Sequence, residues 1–231
     1  MDPVEIERPV QLLVEGNDAR NFFEALAQHL GLGDIQVQNY GGVNDLGGFV
    51  SAFAAAPGFT GVTSLGVVRD AERPADGAPG TPREDAPPAA ARRGTERYAD
   101  RAFQSVCTAL GNVGLPVPAR PVEKSASNPA VGVFILPGGG DDGMLETLLC
   151  RTFAGSPVDA CIEGFFRCVA RSEIPIRRPD KSRARAFLAT TQDPQVSVGV
   201  AAQRGHWDFD HDALRGVRRF LRSLVGDTPP A

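Results

Sequence analysis

The residues of this chain best suited to chemistry are acids that follow apolar runs. In "LLVEGNDARNFF", residues 12–23, an apolar run stops at Glu15, with Gly16 directly behind it and a helix-like pattern after that. In "VTSLGVVRDAE", residues 62–72, a second apolar run ends on Asp70 and Glu72. In an extended chain residues two apart point the same way, so Asp70 and Glu72 present their carboxylates together. In a parallel sheet, ligands gather in the crevice outside the carboxyl ends of the strands. Three carboxylates converging there repel one another unless a cation neutralises them. Mg2+, or Mn2+ in its place, is the expected cofactor, since Mg2+ favours hard oxygen ligands and keeps waters for substrate phosphates. The plainer alternative is a set of turn residues or helix caps facing water.

The positive charge lies at the other end of the chain. Residues 1–165 hold 12 Lys/Arg against 21 Asp/Glu, whereas residues 166–231 hold 12 against 7, within a net charge of −4. The basic residues concentrate in "RRPDKSRAR", which contains Arg177, Arg178, Arg183 and Arg185, and in "RGVRRFLRS". A basic face beside an acidic pocket suits a phosphate backbone, so nucleic acid is the expected partner. Ordinary solvated helix faces are the competing reading.

The elements that must position these groups alternate. Phe22, Phe23, Leu26, Ala27 and Leu30 recur at helical spacing over residues 18–30, after a short strand at 10–15. "IQVQNY" (35–40) alternates like a strand, Gly41 and Gly42 turn the chain, and Val43, Leu46, Val50 and Phe53 resume helical spacing. A third strand at 62–72, a helix carrying Tyr98, Ala102, Val106 and Leu110, and a nearly continuous apolar strand at 131–137 follow. Helices are then predicted over 143–153, 156–171, 179–190 and 211–225. The expected fold class is α/β, a parallel sheet flanked by helices, with a helical C-terminal extension. One domain over residues 1–231 is expected, with a core at about 9–137 and a mainly helical part at 143–226. "RPADGAPGTPREDAPPAAARRG" (73–94) has no periodicity and reads as a long mobile loop, one that could act as a lid.

Together "LLVEGNDARNFF", "NYGGVNDL" and "GVVRDAE" resemble the TOPRIM domain, a Rossmann-like module shared by topoisomerases, bacterial primases, RNA-maturation nucleases and OLD-family nucleases. The whole-chain layout resembles a TOPRIM-like family related to the OLD nucleases, with "ILPGGGDDGMLETLL" and "DKSRARAFLAT" similar to its later blocks. The resemblance implies that Glu15 binds metal or acts as general acid/base, with Asp70 and Glu72 as metal ligands. It implies a further acid, Glu146, near a second metal, and Lys181 as a cation for charge developing on a scissile phosphate. Glu146 also reads as a first-turn acid favoured by the helix dipole, and Lys181 as a solvated lysine. Two positions depart from the pattern. Glu72 stands where an Asp is expected, and Ala19 stands where OLD-like proteins often carry an acid, with Asp18 one place early. A single-metal site suits this sequence better than a two-metal one.

The resemblance implies a Mg2+-dependent nuclease acting on DNA or RNA, alone or with a separately encoded ATPase, in the context of defence against phage. Primase- or topoisomerase-like nucleotidyl transfer, and a non-catalytic metal-binding interaction module, are the alternatives. Other chemistry is not encoded. "PGGGDDG" lacks the Gly-Lys-Ser/Thr of a P-loop, and no Gly-x-Ser-x-Gly or Cys–His arrangement offers a covalent nucleophile. His206 and His211 lack metal-site spacing. Cys107, Cys150, Cys161 and Cys168 form no C-x-x-C pair and read as free thiols in a reducing cytoplasm. No apolar stretch is long enough to span a bilayer, and the acidic first residues do not read as a signal peptide.

Overall fold

β1 (Val10–Val14), β2 (Ile35–Asn39), β3 (Ser64–Asp70) and β4 (Ala130–Leu136) pair in the order β2-β1-β3-β4, every pair parallel. The computed structural model describes residues 4–71, 97–172 and 175–226. Parallel neighbours cannot be joined by tight turns, so helices cross between them: α1 (Gly16–His29), α2 (Leu46–Ala55) and α3 (Tyr98–Asn112). Five helices follow β4: α4 (Leu145–Cys150), α5 (Pro157–Ala170), α6 (Pro179–Leu188), α7 (Val198–Gln203) and α8 (Arg215–Val225).

The strands are apolar on both faces because both faces are covered. Leu13, Leu65, Val67, Val131, Val133 and Ile135 enter one core with Phe49, Val50 and Phe53 of α2 and Val106 and Leu110 of α3. Leu12, Val14, Val68, Phe134 and Leu136 enter the other, with α1 and the helices that follow β4. The helical C-terminal extension builds the second layer over the sheet. Gly66 and Gly132, register partners on β3 and β4, make room for α8. A Cβ on Gly66 would lie 2.6 Å from Leu224, and one on Gly132 3.0 Å from Phe220. Trp207 is buried, its indole N–H donates to the Val198 carbonyl, and it stacks on Phe187, which stacks on Phe153.

The periodicity locates most elements to within a few residues. The second helix starts at Leu46 rather than Val43, which is exposed. The last starts at Arg215, preceded by a short 3-10 turn at Asp212–Leu214. α7 is absent from the expected set, because six residues are too few to show a helical period. The expected loop at 73–94 lies outside the described residues, as does Glu72. Among the described residues no helix is long and apolar enough to cross a membrane.

Candidate active site at the carboxyl edge of the sheet

Glu15 follows the last residue of β1 and stands as N-cap of α1, with an extended backbone and no capping bond from its side chain. Gly16 has φ +81, a left-handed conformation, and nothing lies within 4 Å of where its Cβ would be. The glycine is required by the turn itself, not by crowding. Asn39, at the end of β2, accepts from the N–H groups of both Gly16 and Gly41 at 2.8 Å, tying the two crossover turns together. The left-handed turn after β2 falls at Gly41 (φ +90) rather than at Gly42. A Cβ there would meet Asp45 at 2.7 Å, whereas Gly42 has ordinary room.

Tyr40 follows Asn39 and is 2% exposed. Its hydroxyl lies 3.2 Å from the Val68 carbonyl and 3.5 Å from Glu15 Oε2. With a single proton to give, the shorter contact is the bond and the longer one a weak second interaction. Burial first, then the charge of Glu15, pushes the phenol well above its ordinary value; Asp70 acts in the same direction and Arg69 against it. One phenol therefore senses Glu15, Asp70 and Arg69 together, at the carboxyl edge of the two central strands.

Asp70 ends β3, and its Oδ1 accepts from the Leu145 N–H at 3.1 Å, the first residue of α4. Beside it Ala71 makes an antiparallel bridge with Gly143, exchanging both backbone bonds. The glycine-rich turn after β4 is thereby held against the edge, and Asp142 accepts from the Ala99 N–H at the start of α3. Glu146 sits in the first turn of α4, its side chain 13% exposed, with Lys181 Nζ 3.8 Å from Oε1. The next residue, Thr147, donates to Asp180 at 2.5 Å, so α4 and α6 are joined through adjacent polar pairs. A cavity of about 230 Å3 opens next to Ala71, lined by Gly143, Met144, Arg177, Arg178 and Asp180. On the β2 side a second cavity, about 480 Å3, is lined by Asn17, Arg20, Asn39, Tyr40 and Asp45.

The expected residues thus divide. Glu15 approaches the Tyr40 hydroxyl, Asp70 bonds the start of α4, and Glu146 and Lys181 pair between α4 and α6. Among the described residues no group of three or more His, Cys, Asp or Glu side chains is arranged to hold a metal ion. Arg177 and Arg178 are exposed at the rim of the smaller cavity. Arg183 instead lies half-buried between Asp159 and Glu163 of α5, pairing with both, and Arg185 donates to the Val196 carbonyl. Those two guanidiniums are committed to holding α6. Ala19 is buried in the core, and Asp18 Oδ1 accepts from the Gly199 N–H at the start of α7. The acid one place early is a strut to another helix.

Sequence reasoning missed Tyr40 and Arg69. Tyr40 follows the second strand at the same edge where Glu15 follows the first. Arg69 is a charge inside an apolar strand covered on both faces. Both signals stand in the sequence.

A family model described as "Protein of unknown function (DUF3226)" matches residues 9–226. Among solved structures, the C-terminal region of the Burkholderia pseudomallei OLD protein is similar at 15% identity and a TM-score of 0.45, covering 96% of this chain and 100% of that one. No curated protein matches.

Proposed function

We propose that this chain, which belongs to the DUF3226 family, is a divalent-metal-dependent phosphodiester hydrolase acting on DNA or RNA. The observation that carries the reading is the placing of Glu15 and Asp70 at the carboxyl ends of the neighbouring strands β1 and β3, with Glu15 Oε2 3.5 Å from the buried Tyr40 phenol. The resemblance of "VEG" and "RDAE" to the TOPRIM acids supports it from the sequence side.

The donor set fits the metal. Glu15 and Asp70 offer hard oxygens only, and Mg2+ is commonly held by one or two carboxylates plus waters and substrate phosphates. Glu72, a third carboxylate expected from the sequence, lies outside the described residues. When bound, Mg2+ or Mn2+ supplies Lewis-acid polarisation of the phosphate and a water of lowered pKa. The chain's own residues do the rest. Glu15, at the end of β1, would take a proton from the attacking water. Tyr40 holds Glu15 Oε2 by a long contact while keeping its own proton. Lys181, beside Glu146, brings positive charge to the α4 side for the phosphate. Arg177 and Arg178 at the cavity rim position the backbone without reading sequence. A separately encoded ATPase acting with this chain in phage defence belongs to the same reading.

The test is cleavage of supercoiled DNA, single-stranded DNA and RNA with Mg2+ or Mn2+. Wild type should cut at least one substrate, and Glu15→Ala and Asp70→Ala should each lose 100-fold or more, on the order of removing a key electrostatic contact. Cutting that survives both substitutions defeats the assignment. Metal binding with no cutting on any substrate would favour an interaction module.

A further inference from the structure

Two long polar side chains are buried at the sheet, and they differ in one respect. Gln11 is saturated: its Nε2 donates to the Arg8 carbonyl and to Gln36 Oε1, and its Oε1 accepts from Gln38. Arg69, 8% exposed, is the one charged side chain buried among the described residues. Its Nε and Nη1 are shut off from solvent and donate to no acceptor.

This is a costly arrangement. A buried lysine escapes by giving up its proton, but a guanidinium stays charged in any protein setting. A buried cation without a partner destabilises the fold strongly, and buried donors lacking an acceptor are rare enough in native proteins to require a reason. The surroundings supply long-range attraction without a bond, because Glu15 and Asp70 bear on the same phenol as Arg69 does. Arg69 alternates with Val67 and Ala71 of the α2/α3 core, so it reaches that side of the edge while Asp70, next in the strand, turns toward α4.

We propose that Arg69 is the anion-binding residue of this site, its buried donors, which no protein group accepts, serving the non-bridging oxygens of a phosphate. The assignment rests on the phosphodiester reading and sharpens it. Carboxylates alone repel a phosphate, whereas a preorganised guanidinium beside them attracts it and spends no energy reorganising when charge develops. Phosphate is the chemistry matched, because guanidinium–phosphate bonds are charge-assisted and directional.

The experiment titrates inorganic phosphate into the full chain, with Mg2+ and with chelator, following heat of binding and thermal melting for wild type, Arg69→Met and Arg69→Lys. Wild type should melt higher as phosphate is added. Arg69→Met should bind phosphate roughly tenfold more weakly or worse, yet melt without phosphate at least as high as wild type, since an unpaired buried charge has been replaced by an apolar chain. Arg69→Lys keeps the charge and should bind more weakly than wild type; it decides the matter where the Met variant fails to fold. Unchanged phosphate affinity in either variant, or no response of wild type at millimolar phosphate, overturns the assignment. So does a folded Arg69→Met that melts well below wild type while keeping its phosphate response. Phosphate binding lost in Arg69→Met while wild type cuts nothing would keep this inference and remove the hydrolase. Cutting abolished by Asp70→Ala but undiminished in Arg69→Met would do the reverse.

Discussion

The Tyr40 phenol keeps its proton because burial and two nearby carboxylates all oppose a further negative charge. The same reasoning applies to Cys150, on the α4 face that meets α6. Burial first, then the charges of Asp180 and Glu146, pushes its thiol up to about 12, with Arg183 acting in the opposite direction. A raised pKa disfavours the reactive thiolate, leaving on the order of one molecule in ten thousand ionised at pH 8. Iodoacetamide at that pH should therefore modify the exposed Cys161 and Cys168 and leave Cys150 unmodified until denaturant is added. Peptide mass spectrometry reads this directly; labelling of Cys150 at the rate of Cys161 would mean that α4 and α6 part readily.

Between elements, glycines set how closely helices approach, and the obstacle at each differs. A Cβ on Gly199 would lie 2.4 Å from the backbone carbonyl oxygen of Asp18, so α7 would have to move off α1 and give up the bond from its N–H to Asp18. A Cβ on Gly66 would meet the methyl ends of Leu224 and Leu12, at 2.6 and 2.7 Å. Leucine ends can turn; a helix backbone moves only as a whole. Gly199→Ala is expected to cost about 1–3 kcal/mol, the usual range for overpacking, and Gly66→Ala less. Urea unfolding of the two variants checks the ranking, and the reverse order would contradict this account of the α1–α7 contact. Leu224→Ala, removing a side chain 2% exposed, should cost about 2–5 kcal/mol by leaving a cavity.

For the whole molecule, the helices after β4 close one face of the sheet. Phe220 and Leu221 of α8 are fully buried, in one core with Leu12, Val68 and Phe134. A chain ending after residue 211 would expose that face, and exposed apolar surface of this extent destabilises a domain and invites aggregation. The expected outcome is loss of the cooperative thermal transition with increased binding of a hydrophobic dye, followed by circular dichroism and fluorescence. A truncated chain that melts cooperatively at the wild-type temperature would show that α8 is not needed to close that face.

What the sequence determined by itself was whatever repeats locally. Alternation and helical spacing are short-range signals, so β1 to β4, α1 and α3 stand within a few residues of where the pattern put them. The edge position of Glu15 and Asp70 followed from the parallel sheet those elements imply. Tertiary structure decided everything that joins distant segments. Asp18 and Gly199 meet across 181 residues, which makes Asp18 a strut between helices. Glu146 and Lys181 pair, and Arg183 is drawn onto α5, because α4, α5 and α6 pack together, not because of any spacing in the chain. Arg69 and Tyr40 gain their meaning from burial, which depends on every element that covers the sheet and therefore on no local pattern.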